Sequence, residues 1–167
     1  FNEANPESHY KTTGPELVAD TDGKIDIAVM LAGTAGTLAG VGSYLQDNVP
    51  GVKIVGVQPT KDSLYVPGED RDTIDGVVVL HKENGCSHPF VVKRNFKYDE
   101  IIEVTGTDSY ATAREVAESD GILLGASAAA ALTAARELAL RPENEGKNIV
   151  AIFADNGMKY LSTRMFA

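Results

Sequence analysis

The sequence predicts an open, mostly parallel α/β sheet with helices on both faces, and three observations carry that expectation. Ile25–Ala32, Val52–Val57 and Ile149–Phe153 are short, mainly apolar runs bounded by turn-forming or polar residues, as strands buried on both faces are. Between the first two, Thr37–Gln46 places Leu38, Val41 and Leu45 at helical spacing. Strand, glycine-containing loop, helix and strand thus follow one another as a βαβ unit of about thirty residues, which implies parallel strands and a right-handed crossover. With 167 residues, no internal repeat and no low-complexity linker, a single α/β domain over residues 1–167 accounts for the whole chain.

Taken in order, Phe1–Tyr10 is polar and broken by Pro6, so no regular element is expected there. Gly14-Pro15 leads into a short helix, Glu16–Asp20, that Asp22-Gly23 ends. After the βαβ unit the stretch from Pro59 to about Pro89 is the least regular, with Val77–Leu80 as a short strand and HKENGCSHP as a loop. Ile101–Val104 is the next apolar strand. Thr107 or Asp108 caps a helix running to Ser119, with Gly121 as its stop. Ile122–Leu124 reads as a strand and Ser127–Leu140 as an alanine-rich helix, closed by Arg141-Pro142 and the polar ENEGKN loop.

Composition excludes several classes of function. The 24 acidic and 15 basic side chains give a net charge of −9, which repels polyphosphate backbones, so broad nucleic-acid binding is not expected. A local anion site built from backbone N–H groups needs no net positive charge and stays open. No apolar run is long enough to span a bilayer, and no basic segment followed by an apolar one opens the chain, so neither membrane insertion nor a secretory signal is expected. The single cysteine, Cys86, allows no internal disulfide and points to a reducing, cytoplasmic compartment.

Three segments could carry chemistry. Gly33, Thr34, Ala35, Gly36 and Thr37 lie directly after a buried strand and before a helix, where ligands bind in parallel α/β sheets. Small residues there allow close backbone approach, the helix start offers N–H groups and its dipole, and the two threonines add hydroxyls, a combination suited to phosphate. The loop is neither GxxxxGK[ST] nor GxGxxG, and a tight turn capped by threonine is the plainer alternative. Gly125-Ala126-Ser127 repeats the strand-to-helix pattern; Ser127 is either an N-cap or a hydroxyl facing the same crevice. Asp155-Asn156-Gly157 follows the last strand and is either a polar turn or a third contributor. His81, Cys86 and His88 supply only three candidate ligands in one irregular loop, with no second Cys-x-x-Cys arm, so no metal site is expected.

Five segments together make a more specific pattern: NPESHYKTTGPEL (Asn5–Leu17), GTAGTLAGVGSYL (Gly33–Leu45), VKIVGVQP (Val52–Pro59), GILLGAS (Gly121–Ser127) and RPENEGKNIVAIFADNGMKYLST (Arg141–Thr163). In that order they resemble the carboxyl-terminal half of the cysteine synthase (O-acetylserine sulfhydrylase) and cystathionine β-synthase family. The resemblance spans nearly the whole chain and departs clearly only from about Lys61 to Lys97. It implies a fold-type II, tryptophan synthase β-like fold and pyridoxal 5′-phosphate as cofactor. It further implies that Gly33, Thr34, Ala35, Gly36 and Thr37 hold the cofactor phosphate, that Ser127 meets the pyridine nitrogen, and that Asp155 stands near that nitrogen. A neutral hydroxyl partner is expected to leave the nitrogen largely unprotonated, which suits β-elimination and replacement. The implied reaction joins O-acetylserine and sulfide into cysteine, in an enzyme that is a homodimer when complete.

The departures bear on catalysis. Ala35 replaces a glycine of the phosphate loop, Ala154 and Asn156 replace the proline and serine of a PDSG turn, and IDGVVVL stands where a glycine-rich segment is expected near Asp75–Leu80. The family's Schiff-base lysine belongs to the amino-terminal half, and none of the nine lysines here matches its position, so no catalytic residue is assigned. The resemblance therefore implies a cofactor-binding portion needing an amino-terminal half, or else a non-catalytic paralogue or subunit that binds a partner half.

Overall fold

The computed structural model describes residues 1–82, 85, 86 and 88–167, the side chains of residues 81, 82, 85 and 86 excepted. The elements in chain order are α1 (Ala4–Lys11), α2 (Thr13–Asp20), β1 (Ile27–Leu31), α3 (Gly36–Asn48), β2 (Lys53–Pro59), β3 (His81–Lys82), β4 (Gly85–Cys86), α4 (Pro89–Lys93), β5 (Glu100–Val104), α5 (Gly106–Asp120), α6 (Ala126–Ala139) and β6 (Ile149–Ala151). Four strands form one sheet in the order β5-β2-β1-β6, every pairing parallel. β3 and β4 make a separate antiparallel pair. This is the open α/β architecture that the sequence predicts.

Alternation along β1 decides which helices cover which face. Ala28 and Met30 point to one side and join Leu38, Val41 and Leu45 of α3, with Phe90 and Phe96. Ile27 and Val29 point to the other and join Ala130, Ala134 and Leu138 of α6. Both faces are thereby covered, which is why the strands read as continuous apolar runs. A third cluster, including Tyr110, Ala113, Ala128, Ala129 and Met165, glues α5 to the outside of α6. On the α3 side, α1 crosses so closely that a side chain at Gly40 would strike the Pro6 carbonyl and the His9 Cβ.

Several local expectations are corrected. Phe1–Tyr10 contains a helix, because Pro6 falls in the first turn of α1, where a missing N–H breaks no helical bond. Val77–Leu80 is not a strand; Val78 donates to the carbonyl of Ala32 just beyond β1. Ile122–Leu124 adds no strand to the sheet; Leu124 forms a single antiparallel bridge to Asn156. Thr105, not Thr107 or Asp108, caps α5, its side chain accepting from the Asp108 N–H. Gly125, not Ser127, is the N-cap residue of α6.

At the foot of the sheet Arg141 donates to both carboxylate oxygens of Glu100 (2.9 and 2.7 Å) and to Glu137 (2.7 Å). The first of these partnerships holds the Glu100 carboxyl below the ordinary glutamate value of 4.5. A folded-state value below the unfolded one stabilises above the ordinary glutamate range, and the benefit is lost as pH falls through the folded-state value. The two side chains are 29% and 38% exposed, so screening limits the pair to about 0.5 kcal/mol. Arg141→Met is expected to lower the urea-unfolding free energy by about that amount at neutral pH, and the difference is expected to fade in acid as Glu100 becomes protonated in the folded state. An equal difference at neutral and acid pH would show that packing of the arginine stem, not charge, is responsible.

Candidate functional site

The chain turns off β1 into Gly33–Thr37 and off β6 into Ala154-Asp155, and these strands are parallel neighbours in register, Val29 opposite Ala151. Both connections therefore leave the same carboxyl edge of the sheet. Leaving β1, the path crosses over α3 to β2 on one side, while β6 lies on the other. Such a switch point opens the crevice where α/β sheets bind ligands.

Gly33 has no room for a side chain because the Gly76 carbonyl occupies the space a Cβ would take. The segment around Gly76, where φ is +76°, so packs directly on the loop. Ala35 adopts a left-handed backbone, φ +57°, immediately before α3, a conformation that disfavours a residue bearing Cβ. The first helical hydrogen bond from this turn is Ala39 N–H to the Ala35 carbonyl (3.0 Å), so Gly36, Thr37 and Leu38 have no carbonyl partner within the helix for their N–H groups. Donors of this kind, at the positive end of a 13-residue helix, are of the type that suits an anion.

Sequence reasoning missed the residues that brace this loop. Asn5 of α1 donates from Nδ2 to the Thr34 hydroxyl (3.0 Å) and packs where a Gly36 side chain would stand. His9, one turn further along α1, bonds Thr37 through Nε2 (3.2 Å) and Thr13 through Nδ1 (3.0 Å). Both lie within the NPESHYKTTGPEL motif, yet nothing local in that motif says that its helix lies across α3.

The second cluster centres on Asp155. Ser127, in the first turn of α6, donates its hydroxyl to Asp155 Oδ1 (2.8 Å), while Tyr160 donates to Oδ2 (3.0 Å) and the Lys159 ammonium lies 3.4 Å from Oδ2. The backbones are locked too: Gly125 N–H donates to the Asp155 carbonyl (3.3 Å) and Gly157 N–H to the Leu123 carbonyl (2.8 Å). Gly125 carries no Cβ because the Asp155 carboxyl fills that space. Burial, with the nearby Asp155 charge, pushes the Tyr160 phenol above its ordinary value. Lys159 is likewise held above the usual lysine value, first by its bond to Tyr160. Tyr160 was another residue that sequence reasoning did not single out.

His81 and Cys86 fall outside the described side chains. His88 stands at the start of α4, its imidazole lowered by burial. Among the described residues no three His, Cys, Asp or Glu side chains gather as a metal site, and no helix is long and apolar enough to cross a membrane.

A switch-point crevice between a helix start with open N–H groups and an oriented hydroxyl is the kind of place where α/β proteins bind ligands. The chain belongs to the family described as pyridoxal-phosphate dependent enzyme, which matches residues 1–155. It is 38% identical to cysteine synthase A of Escherichia coli K12 over 170 residues, covering 99% of this chain and 52% of that protein. It is 37% identical to the O-acetylserine dependent cystathionine beta-synthase of Bacillus subtilis, covering 99% of this chain and 51% of that one. Among solved structures, O-acetyl serine sulfhydrylase isoform 3 from Entamoeba histolytica superposes with a TM-score of 0.83 at 36% identity, over 99% of this chain and 47% of that structure. The chain thus spans about half the length of the relatives it matches.

The residues present fit pyridoxal phosphate. The N–H groups of Thr37 and Leu38, with that of Gly36 shared with the Thr34 hydroxyl (3.4 Å), suit a phosphate ester, the Gly33 notch keeps the backbone clear of side-chain bulk, and the Ser127 hydroxyl suits a heterocyclic nitrogen.

Proposed function

We propose that this chain is the cofactor-binding portion of a cysteine synthase-like enzyme that replaces the β-substituent of O-acetylserine with sulfide. The observation that carries the reading is the pairing, at one sheet edge, of the Gly33–Thr37 anion cradle with the Ser127–Asp155 pair. In this reading the N–H groups of Gly36, Thr37 and Leu38 hold the phosphate and α3 adds its dipole. Asn5 and His9 keep the threonine hydroxyls in place, so the loop is formed before ligand arrives. Ser127 orients the ring through its nitrogen, and Asp155 keeps Ser127 in one rotamer. Pyridoxal phosphate, when bound, acts as the electron sink for a carbanion next to the amino group. The remaining half of such an enzyme would contribute the lysine and the substrate-carboxylate contacts, from a preceding segment or a separate subunit, and complete enzymes of this kind would pair as homodimers in the cytoplasm.

Calorimetric titration with pyridoxal 5′-phosphate, and with pyridoxal lacking the phosphate, tests the cradle. Phosphate-dependent binding is expected, and Gly36→Val, whose side chain collides with Asn5, is expected to weaken it at least about tenfold. Equal affinity for both compounds, or an unchanged Gly36→Val, would remove the phosphate from this loop.

A further inference from the structure

We propose that Arg164 and Asp72 are positioning residues that fix the Gly33–Thr37 loop, by fastening the segment that carries the Gly76 carbonyl to Gly33. What the loop holds rests on the cofactor reading above, whereas how the loop is held does not.

The segment from Asp72 to Val78 links the start of α5 to the end of β1. At the β1 end Val78 N–H donates to the Ala32 carbonyl (2.8 Å), and the Gly76 carbonyl fills the space beside Gly33. At the α5 end the Asp72 carboxylate accepts from Thr107 Oγ1 (2.9 Å) and lies 2.8 Å from Arg164 Nε. The Asp72 carbonyl stands where a Gly106 side chain would begin, so the segment lies directly on the first turn of α5. Between these ends, Tyr110 donates to the Thr73 carbonyl (2.9 Å) and Ile74 is buried in the cluster that holds Val55, Val57 and Val104. Asp75 and Gly76 are exposed, so their position depends on how the flanking residues are held.

Arg164 supplies the charge at the α5 end. Its guanidinium bonds Asp70 as well as Asp72, so one planar fork spans two carboxylates of the same stretch. The backbone beneath it is fixed, since Met165 is fully buried and its carbonyl accepts from Arg114 of α5 (2.8 Å). Asp62, Asp72 and Asp108 line the crevice there together with Arg71 and Arg164. Arg71 is engaged by Glu69 and by the Lys61 carbonyl (3.4 Å). Of these two cations Arg164 is the one that offsets Asp72, whose side chain is only 19% exposed and so little screened. Arg164 is itself half exposed, and such pairs add little to whole-chain stability. Its effect is local: without it the carboxylates repel, and the stretch that carries Gly76 opens away from Gly33 more often.

Amide exchange of the ligand-free chain, followed by NMR, tests the fastening. Arg164→Gln is expected to speed exchange of the Val78 amide about threefold and to leave Val55 in β2 unchanged. In an Asp72→Asn background the same Arg164→Gln change should add nothing. Calorimetric titration with pyridoxal 5′-phosphate tests the consequence. Arg164→Gln should weaken binding about threefold, and Arg164→Lys, which keeps the charge without the fork, should restore part of it. The urea midpoint should be the same in all these chains. An unchanged Val78 amide in Arg164→Gln overturns the proposal, whatever the ligand does. Faster Val78 exchange with unaltered affinity overturns it too, because the segment then moves without disturbing the loop. A urea midpoint that falls together with Val78 protection makes Arg164 a general stabiliser and likewise overturns it. If the parent chain binds no pyridoxal 5′-phosphate but Val78 exchange responds, the cofactor reading falls and the fastening stands.

Discussion

Leu38→Ala is expected to lower the unfolding free energy by about 4 kcal/mol, the upper part of the range for a leucine removed from a rigid core. Leu38 is fully buried on the sheet side of α3, against the cluster that holds Ala28 and Met30. It also stands in the helical turn that opens the anion cradle, so the void lies directly beneath the loop. The walls are a β-strand and a helix joined by hydrogen bonds, which limits how far they can collapse. Urea unfolding followed by far-ultraviolet circular dichroism measures the loss. Leu38→Met, which conserves volume, should cost less than about 1.5 kcal/mol. If both variants cost the same, side-chain volume at this position is not what stabilises the turn.

Two residues along, on the opposite face of the same helix, Gly40→Leu should destabilise by about 3 kcal/mol for the contrary reason. There is no space: the Pro6 carbonyl and the His9 Cβ stand where a side chain would begin. The obstacle is backbone, so α1 must move as a unit, taking Asn5 from Thr34 and His9 from Thr37. Gly40→Ala supplies the decisive sign. In an exposed helix that change stabilises by about 1 kcal/mol through propensity; here it should destabilise. A Gly40→Ala protein more stable than its parent would mean that α1 does not press on α3 in solution.

Much of the framework is legible in the sequence because burial on both faces writes continuous apolar runs. β1, β2, β5, β6, α3, α5 and α6 all occur where periodicity places them, with ends shifted by a few residues. What escaped depends on partners distant in sequence. Val77–Leu80 and Ile122–Leu124 are apolar enough for strands, but the backbone of Val78 is taken by Ala32 and that of Leu124 by Asn156. Pro6 looked like a breaker because its position within a helical turn is invisible until the helix start is known. The Gly33–Thr37 loop and Ser127 were readable as strand-to-helix turns. Asn5, His9 and Tyr160 were not, since their roles exist only through helix packing and the fold-back onto Asp155. The serine illustrates the difference well: its position suggested a helix cap, whereas its hydroxyl turns away from the helix to another connection 28 residues on.

The placement of β6 beside β1 has a consequence for how the crevice comes into being. Ile27 pairs with Lys53 across roughly 26 positions, but the chain between Asp26 and Asn148 spans 122. Closing the longer loop costs about 1.4 kcal/mol more in chain entropy, so β1, α3 and β2 are placed to associate first and β6 to dock afterwards. The anion loop belongs to the early unit, whereas Asp155 arrives only with the final strand. During synthesis this order is reinforced, because Asp155 leaves the ribosome after β1, α3 and β2. A chain stopped short of residue 149 would carry the Gly33–Thr37 loop and the serine, yet lack the carboxylate that accepts from its hydroxyl.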